Sequence, residues 1–571
     1  MASPAALDVG DALDELVNQF ADPMSFFREL IQNALDAGSA EVEVSFEFEA
    51  NADNPDQGAM VVSIVDAGEG MDREIIDSRL TRLFSSAKDG DMTKIGKFGI
   101  GFVSVFAIEP DAVCVDTARA GEAWRVLFDK QRNFKRLRLD QALEGTSIRI
   151  IKSSKREDYE RFVARASEVI RYWCRHANGE VWVDGALISE PFGLDAPLCH
   201  EYRDEFSHIF LGHEPGSPTR HAYFNGGLTL VEAEGSHNSV MTQLRGLVFK
   251  VSSRYLEHTL TRDDVIKDAH HAKVAARLVE LAHGPLRELV FAELDACVRA
   301  QWPREPGAAA ERLHLLYEAA HWHLCASGLS RITAKLACAR SPSGRVYTWN
   351  ELRGAVRDGD DLLLCAEPSP LSDAAEAQDL VVVATYAGVT PSSHAELARA
   401  PDLAPMLAAF DALREDAGAS RWLEERFFIP TDPPLAERRG WQPLATAVAE
   451  ILDDTGHKIG GCRFGCFERS GSALAGRVAI SQREYGELTP VDEAGEITKG
   501  LFSRRRVLVV DADNPAVRTL LGLAKREVEL AAYQLIKLFF VHGGAISPAQ
   551  DSALASAAMS KREARCPRPQ S

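Results

Sequence analysis

Residues 26–38 read FFRELIQNALDAG, and this stretch decides how the chain is understood. On a helix, Glu29, Asn33 and Asp36 fall within about 60° of arc. Phe26, Phe27, Leu30, Ile31, Ala34 and Leu35 take most of the rest. Asp22 is placed to cap the helix, Pro23 suits a first turn, and Gly38 suits a left-handed stop. A helix greasy nearly all round belongs in a core, and a carboxylate buried there without a partner is costly. Two readings stand: a solvated face, or a stripe turned toward a polar ligand, with Asn33 placed for a metal and Glu29 for a water.

The flanking sequence supplies a sheet. In EVEVSFEFE, Val42, Val44, Phe46 and Phe48 alternate with acids or serine, the pattern of a strand with one buried face. MVVSIVD, Met60 to Asp66, reads as a more deeply buried strand, and EGTSIRIIK from Glu144 as another. Helix, strands and glycine loops together predict an α/β sandwich.

Two loops complete a pattern. In IVDAGEGMD, a buried strand delivers Asp66 at its end, where a carboxylate can accept from an amino group such as that of adenine. Gly68 and Gly70 let the backbone come close, and Met71 can pack on a flat ring. Asp-Gly turns are common, so this loop alone is modest evidence. In KIGKFGIGFVSVFAI, Gly96, Gly99 and Gly101 form a GxxGxG loop entering an apolar helix, Phe102 to Ile108, where free N–H groups favour phosphate. No GKS or GKT follows, so it is not a P-loop. The order of the three segments is more specific than any one of them.

That order resembles the ATP-binding motifs of the GHKL superfamily, and RELIQNALDA is most similar to the bacterial heat shock protein 90 chaperone branch. The resemblance implies a Bergerat-type α+β sandwich that binds ATP and Mg²⁺. It makes Glu29 the general base and Asn33 the metal ligand. Asp36 would line the pocket, Asp66 would read adenine, and Gly70 and Met71 would flank the base. Gly96, Phe98, Gly99, Ile100 and Gly101 would form the phosphate loop, and Thr146 would close the adenine end. Residues between Asp72 and Ile95 would be a lid, although RLFSSAKDGDMTK departs from the expected SGT-like segment. Lys88, Lys94 and Lys97 are its candidate phosphate contacts. In SSRYLEHTLTRDDVIKD, Arg262 matches the arginine that reaches the γ-phosphate on lid closure; the plain alternative is that it pairs with Asp263, Asp264 or Asp268.

The implied organisation is an ATP-binding domain over 1–153 and a ribosomal S5-like α/β middle domain over 154–295. A second middle α/β segment covers 296–432, where DLLLCAE and DLVVVATY are strands joined by a polar loop. A C-terminal α+β dimerisation domain follows over 433–547, with a helix from Lys525 to Val541, and then a flexible tail over 548–571. The expected function is an ATP-driven clamp on client proteins, working as a homodimer in the cytoplasm. The alternative is a specialised DNA-linked or defence-related switch on the same ATPase fold.

Composition narrows the field. A chain of 571 residues allows three or four domains at ~150 residues each. A net charge of −20 argues against binding nucleic acid mainly by counterion release. Hydrophobic residues at 46% exclude a wholly disordered chain. The N-terminus lacks the basic-then-apolar pattern of a secretion signal, and the apolar run from Leu530 to Val541 is too short to span ~30 Å of hydrocarbon. Ten scattered cysteines read as reduced thiols. The Cys462–Cys466 spacing has no second pair, and His321, His323 and Cys325 read as packing rather than a metal site. A sensor histidine kinase would need a phosphoacceptor histidine ahead of Asp22, and residues 1–21 contain none.

Overall fold

The computed structural model describes residues 22–81, 100–141, 143–214, 218–235, 243–257, 259, 264–300, 302–303, 305–357, 361–386, 402–414, 420–434, 440–467, 472, 474–497, 505–544 and 546–565. The chain divides into two compact units, one ending at Leu286 and the other beginning at Arg287.

Among the described residues, the first element is a single 3-10 turn, Pro23–Ser25, whose Met24 N–H is accepted by Asp22 Oδ1 at 2.9 Å. Helix α1, Phe26–Asp36, follows, and Gly38 ends it at φ +81°. Next come the hairpin strands β1, Glu41–Asn51, and β2, Asn54–Asp66. Val42 and Val44 are fully buried and Phe46 nearly so, while the intervening acids face outward, as the alternation predicts. A short helix α2, Ile100–Val103, leads through a 3-10 stretch into β3, Ala112–Arg119. β4, Glu122–Asp129, β5, Phe134–Arg138, and β6, Thr146–Lys155, complete the segment. The expected helix over Phe102 to Ile108 is therefore α-helical only to Val103. Val103 and Val105 are β-branched and stiff against the preceding turn, and the Ser104 hydroxyl donates to the Gly101 carbonyl, tightening it.

The first sheet does not stop at residue 153. Its eight strands run β5-β4-β3-β6-β2-β1-β7-β8, where β7 is Glu180–Val183 and β8 is Ala186–Leu187. β7 pairs parallel with β1, Val42 facing Val181. Helix α3, Arg156–Cys174, buries Ala166, Ile170 and Cys174 in the same core as α1. Phe27 and Phe162 lie 6.3 Å apart between ring centres, and the Arg28 guanidinium sits 4.9 Å from the Trp173 ring centre. A break at 153 would cut through this core, because α3 packs on β1 and β2 and β7 extends their sheet.

A second, five-stranded sheet lies in the same unit, in the order β12-β11-β13-β10-β9. Its strands are β9, Leu198–Arg203, β10, Ser207–His213, β11, Arg220–Asn225, β12, Leu228–Glu234, and β13, Leu247–Ser253. Helix α4, Ala269–Leu281, is capped by Asp268, which accepts from the N–H groups of His270 and His271.

In the second unit, strands Leu362–Cys365 and Val382–Ala384 form where the two apolar runs suggested strands, and they pair parallel. Their connection is not simply a polar loop. It contains the helix Pro370–Ala377, started by a capping box between Ser369 and Ser372 with Pro370 in the first turn. Ser in place of Glu or Gln at the reciprocal position hides this box from the usual sequence signature. Farther on, Arg506–Asp511 is the middle strand of a three-stranded sheet, and Asn514 caps Pro515–Ala524 through the Ala516 N–H. The helix expected over Lys525 to Val541 runs Val528–His542.

The expected tail at 548–571 is corrected over Pro548–Arg565, which form a helix. Leu554 is fully buried and Ala558 nearly so, in one core with Val528–His542. Lys561 reaches Glu450 and Asp454, and Arg562 reaches Glu527. An Ala- and Ser-rich segment reads as loose because its apolar stripe is narrow, but the stripe falls on a waiting core.

Candidate active site

The polar stripe on α1 is graded. Phe26, Phe27, Leu30, Ile31 and Ala34 are buried, Glu29 is half-buried, and Asn33 and Asp36 are exposed. α2 packs over the Glu29 end. A Cβ placed on Gly101 would stand 2.6 Å from Glu29 Oε2, so glycine there is what lets the carboxylate lie against the α2 backbone. The other end of α1 is stitched to the loop after β2. Glu69 N–H donates to the Ala37 carbonyl at 2.9 Å, and Ala67 N–H to Ser39 Oγ at 3.0 Å. A Cβ on Gly68 would meet both Ala37 and Asp66 Oδ1 within about 3 Å, so this loop closes on the helix end only with glycine.

Asp66 ends β2. Its Oδ1 accepts from Gly68 N–H at 2.9 Å. Sheet register sets its neighbours in one row: Asp66 faces Thr146 on β6, and Thr146 faces Thr117 on β3. The two threonine hydroxyls are 3.0 Å apart, and Thr117 Oγ1 also accepts from Met71 N–H at 2.8 Å. Thr117 thus holds Met71 beside the strand end. Gly70 adopts φ +64°, and a Cβ there would come to 2.1 Å from the Ala118 carbonyl oxygen.

Electrostatics follow from this packing. Although Asp36 is exposed as a residue, the protein around its carboxyl partly desolvates it and raises it above its ordinary range, and the Glu29 carboxylate on the same face raises it further. Burial also raises Asp66, against the opposing pull of hydrogen bonds from the Gly68 and Thr146 backbones. Acids that resist ionisation in the free protein gain when a cation or a donor arrives.

The structure therefore sets Glu29, Asn33 and Asp36 along one face of α1, with Gly101 against the Glu29 end and the loop and strand ends carrying Asp66, Gly70, Met71 and Thr146 toward the Asp36 end. Ile100 opens α2. Gly96, Phe98, Gly99 and Arg262 lie outside the described residues, as do Lys88, Lys94 and Lys97. Sequence reasoning missed Thr117 and Ser39. Thr117 stands in AVCVDTAR at an inward position otherwise held by valine, so a hydroxyl there was a readable signal. Ser39 gave none, because a serine after a helix is ordinary.

His323 is fully buried on the helix Ala308–Ser327, consistent with packing. Among the described residues, no group of three or more His, Cys, Asp or Glu side chains is gathered as a metal site. Among the described residues too, no helix is long and apolar enough to cross a membrane.

Comparison with known proteins agrees with this geometry. Residues 25–148 match the family described as histidine kinase-, DNA gyrase B-, and HSP90-like ATPase. The chain is 31% identical over 195 residues to the chaperone protein HtpG of Methylorubrum extorquens, covering 29% of this chain and 30% of that protein. It is 30% identical over 270 residues to HtpG of Rhodospirillum rubrum, covering 39% and 41%. To HtpG of Anaplasma phagocytophilum it is 35% identical over 146 residues, covering 21% and 22%. The chain thus spans well under half the length of each of these relatives.

Proposed function

We propose that this chain binds and hydrolyses ATP at the α1–β2 site and uses the cycle to drive an HtpG-like clamp on client proteins. The observation that carries the reading is the approach of Gly101 to Glu29, with Asp66 and Thr146 set at the neighbouring strand ends. A base for water, a bare backbone beside it and an acceptor for an exocyclic amine are the parts that phosphoryl transfer from ATP needs.

The oxygen donors on the exposed stripe fit a hard divalent cation. Mg²⁺ held by Asn33 would supply neutralisation of triphosphate charge. Glu29 orients the attacking water and takes its proton. Asp66, ionised, accepts from the adenine amino group, while Met71 and Gly70 bound the base. Arg262 adds positive charge at the γ-phosphate in the closed state, and the GxxGxG loop, Gly96 to Gly101, cradles the phosphates. Dimerisation through the C-terminal segment, cytoplasmic operation and client capture belong to the same proposal.

Steady-state ATP turnover, with solution mass measured with and without a non-hydrolysable analogue, tests it. The proposal expects slow turnover and a dimer that compacts with the analogue. No turnover above a Glu29→Ala control would reject it.

A further inference from the structure

Away from the nucleotide site, the five-stranded sheet and the end of α3 enclose a cleft of about 770 Å³. Lys250 stands on its floor in β13, the strand between β11 and β10, opposite Ala222 and Phe210. Its Nζ lies 3.1 Å from Nε2 of His176, whose Nδ1 lies 3.2 Å from the Glu190 carbonyl oxygen. A carbonyl oxygen only accepts, so Nδ1 carries the hydrogen and Nε2 presents its lone pair to the lysine. His176 is buried and fixed by the rings of Phe192 and Phe224, at 5.4 and 5.3 Å. In its neutral form, with one N–H committed to His176, the amine can present its lone pair to the cleft.

We infer that Lys250 and His176 form a nucleophilic amine–base pair that captures small uncharged carbonyl compounds, aldehydes above all, as imines. The Lys250 nitrogen attacks the carbonyl carbon and a C–N bond forms. His176 Nε2 relays one amine proton to the alkoxide oxygen, which gives the carbinolamine, and then relays the second N–H proton to its hydroxyl. The C–O bond breaks, water leaves, and no electrons are exchanged. Carbonyl class follows from charge. The cleft wall carries Glu190, Asp195, Glu214, Glu232 and Glu234 against Arg175 and Arg220, which disfavours anionic donors.

The lysine is suited to the task. Burial holds it below the ordinary ammonium range, with Arg175 and Arg220 lowering it further, and Glu232 and Glu190 only partly opposing them. Arg175 is paired with Glu232 and Arg220 with Glu214, so neither acid is given over to the lysine. Burial likewise holds His176 below its usual value, so it stays a neutral acceptor at pH 7.

Reductive alkylation of the full chain by glycolaldehyde and cyanoborohydride, read residue by residue by peptide mass spectrometry, tests the pair without nucleotide. Failure of the ATP reading would leave this result untouched. Lys250 is expected to react about tenfold faster at pH 7 than the exposed Lys273, with a rate that levels off at lower pH. Equal rates and parallel pH profiles would overturn the inference. His176→Gln keeps an acceptor near Nε2 but not a base, and should slow Lys250 several-fold while burial still makes its rate level off at lower pH than that of Lys273. An unchanged Lys250 rate in a folded His176→Gln chain would overturn the role of His176.

Discussion

Asp66 shows how a single residue can be poor for the fold and good for the ligand. Burial raises its carboxyl above the unfolded value, so the folded chain holds that proton more tightly. Stability is therefore given up as pH rises through the interval between the unfolded and folded values. Asp66→Asn keeps an acceptor for Gly68 N–H but removes the charge. It should raise the melting temperature of the nucleotide-free chain at pH 7 and weaken adenine nucleotide binding by ~1–3 kcal/mol. Scanning calorimetry and titration calorimetry read the two effects separately, and equal affinity would reject the pocket. For wild type, affinity should begin to fall on acidification at a higher pH than an ordinary aspartate would give. Asp66 was legible in the sequence because a buried strand ran straight into it. Thr117 offered a signal as well, a hydroxyl at an inward position otherwise held by valine, but its partner Thr146 is 29 residues away and only strand register joins them.

Elements explain why the glycines matter. Gly70 and Gly121 both adopt left-handed backbone, at φ +64° and +82°. A Cβ on Gly70 would collide with the Ala118 carbonyl, whereas one on Gly121 meets nothing within 4 Å. Gly121→Ala should cost about 1 kcal/mol, the conformational term alone. Gly70→Ala should cost ~1–3 kcal/mol more and loosen the hold of Thr117 on Met71. Urea unfolding of both variants gives the difference, and equal losses would mean that close approach is not what Gly70 provides. α1, β1 and β2 were readable because period and punctuation agreed over long runs. The assignment of α3 and β7 to the first sheet was not, because a helix's sequence shows that it has an apolar face but not which sheet that face will meet.

At the scale of the molecule, each unit has its own core, and the last helix belongs to the second. Leu554→Ala should destabilise that unit by ~2–5 kcal/mol through the cavity left in the core it shares with the helix Val528–His542. Differential scanning calorimetry should show the loss in the transition of the second unit, with nucleotide affinity unchanged; a loss below about 0.5 kcal/mol would mean that Pro548–Arg565 does not share the core. The central claim concerns the first unit: α1 presents Glu29 to a water at a bound triphosphate. The most direct measurement is single-turnover ATP hydrolysis by wild type and Glu29→Ala, with nucleotide affinity measured in parallel. The account predicts a loss of ~10²–10⁴ in rate with affinity largely kept; equal rates in the two proteins would contradict it.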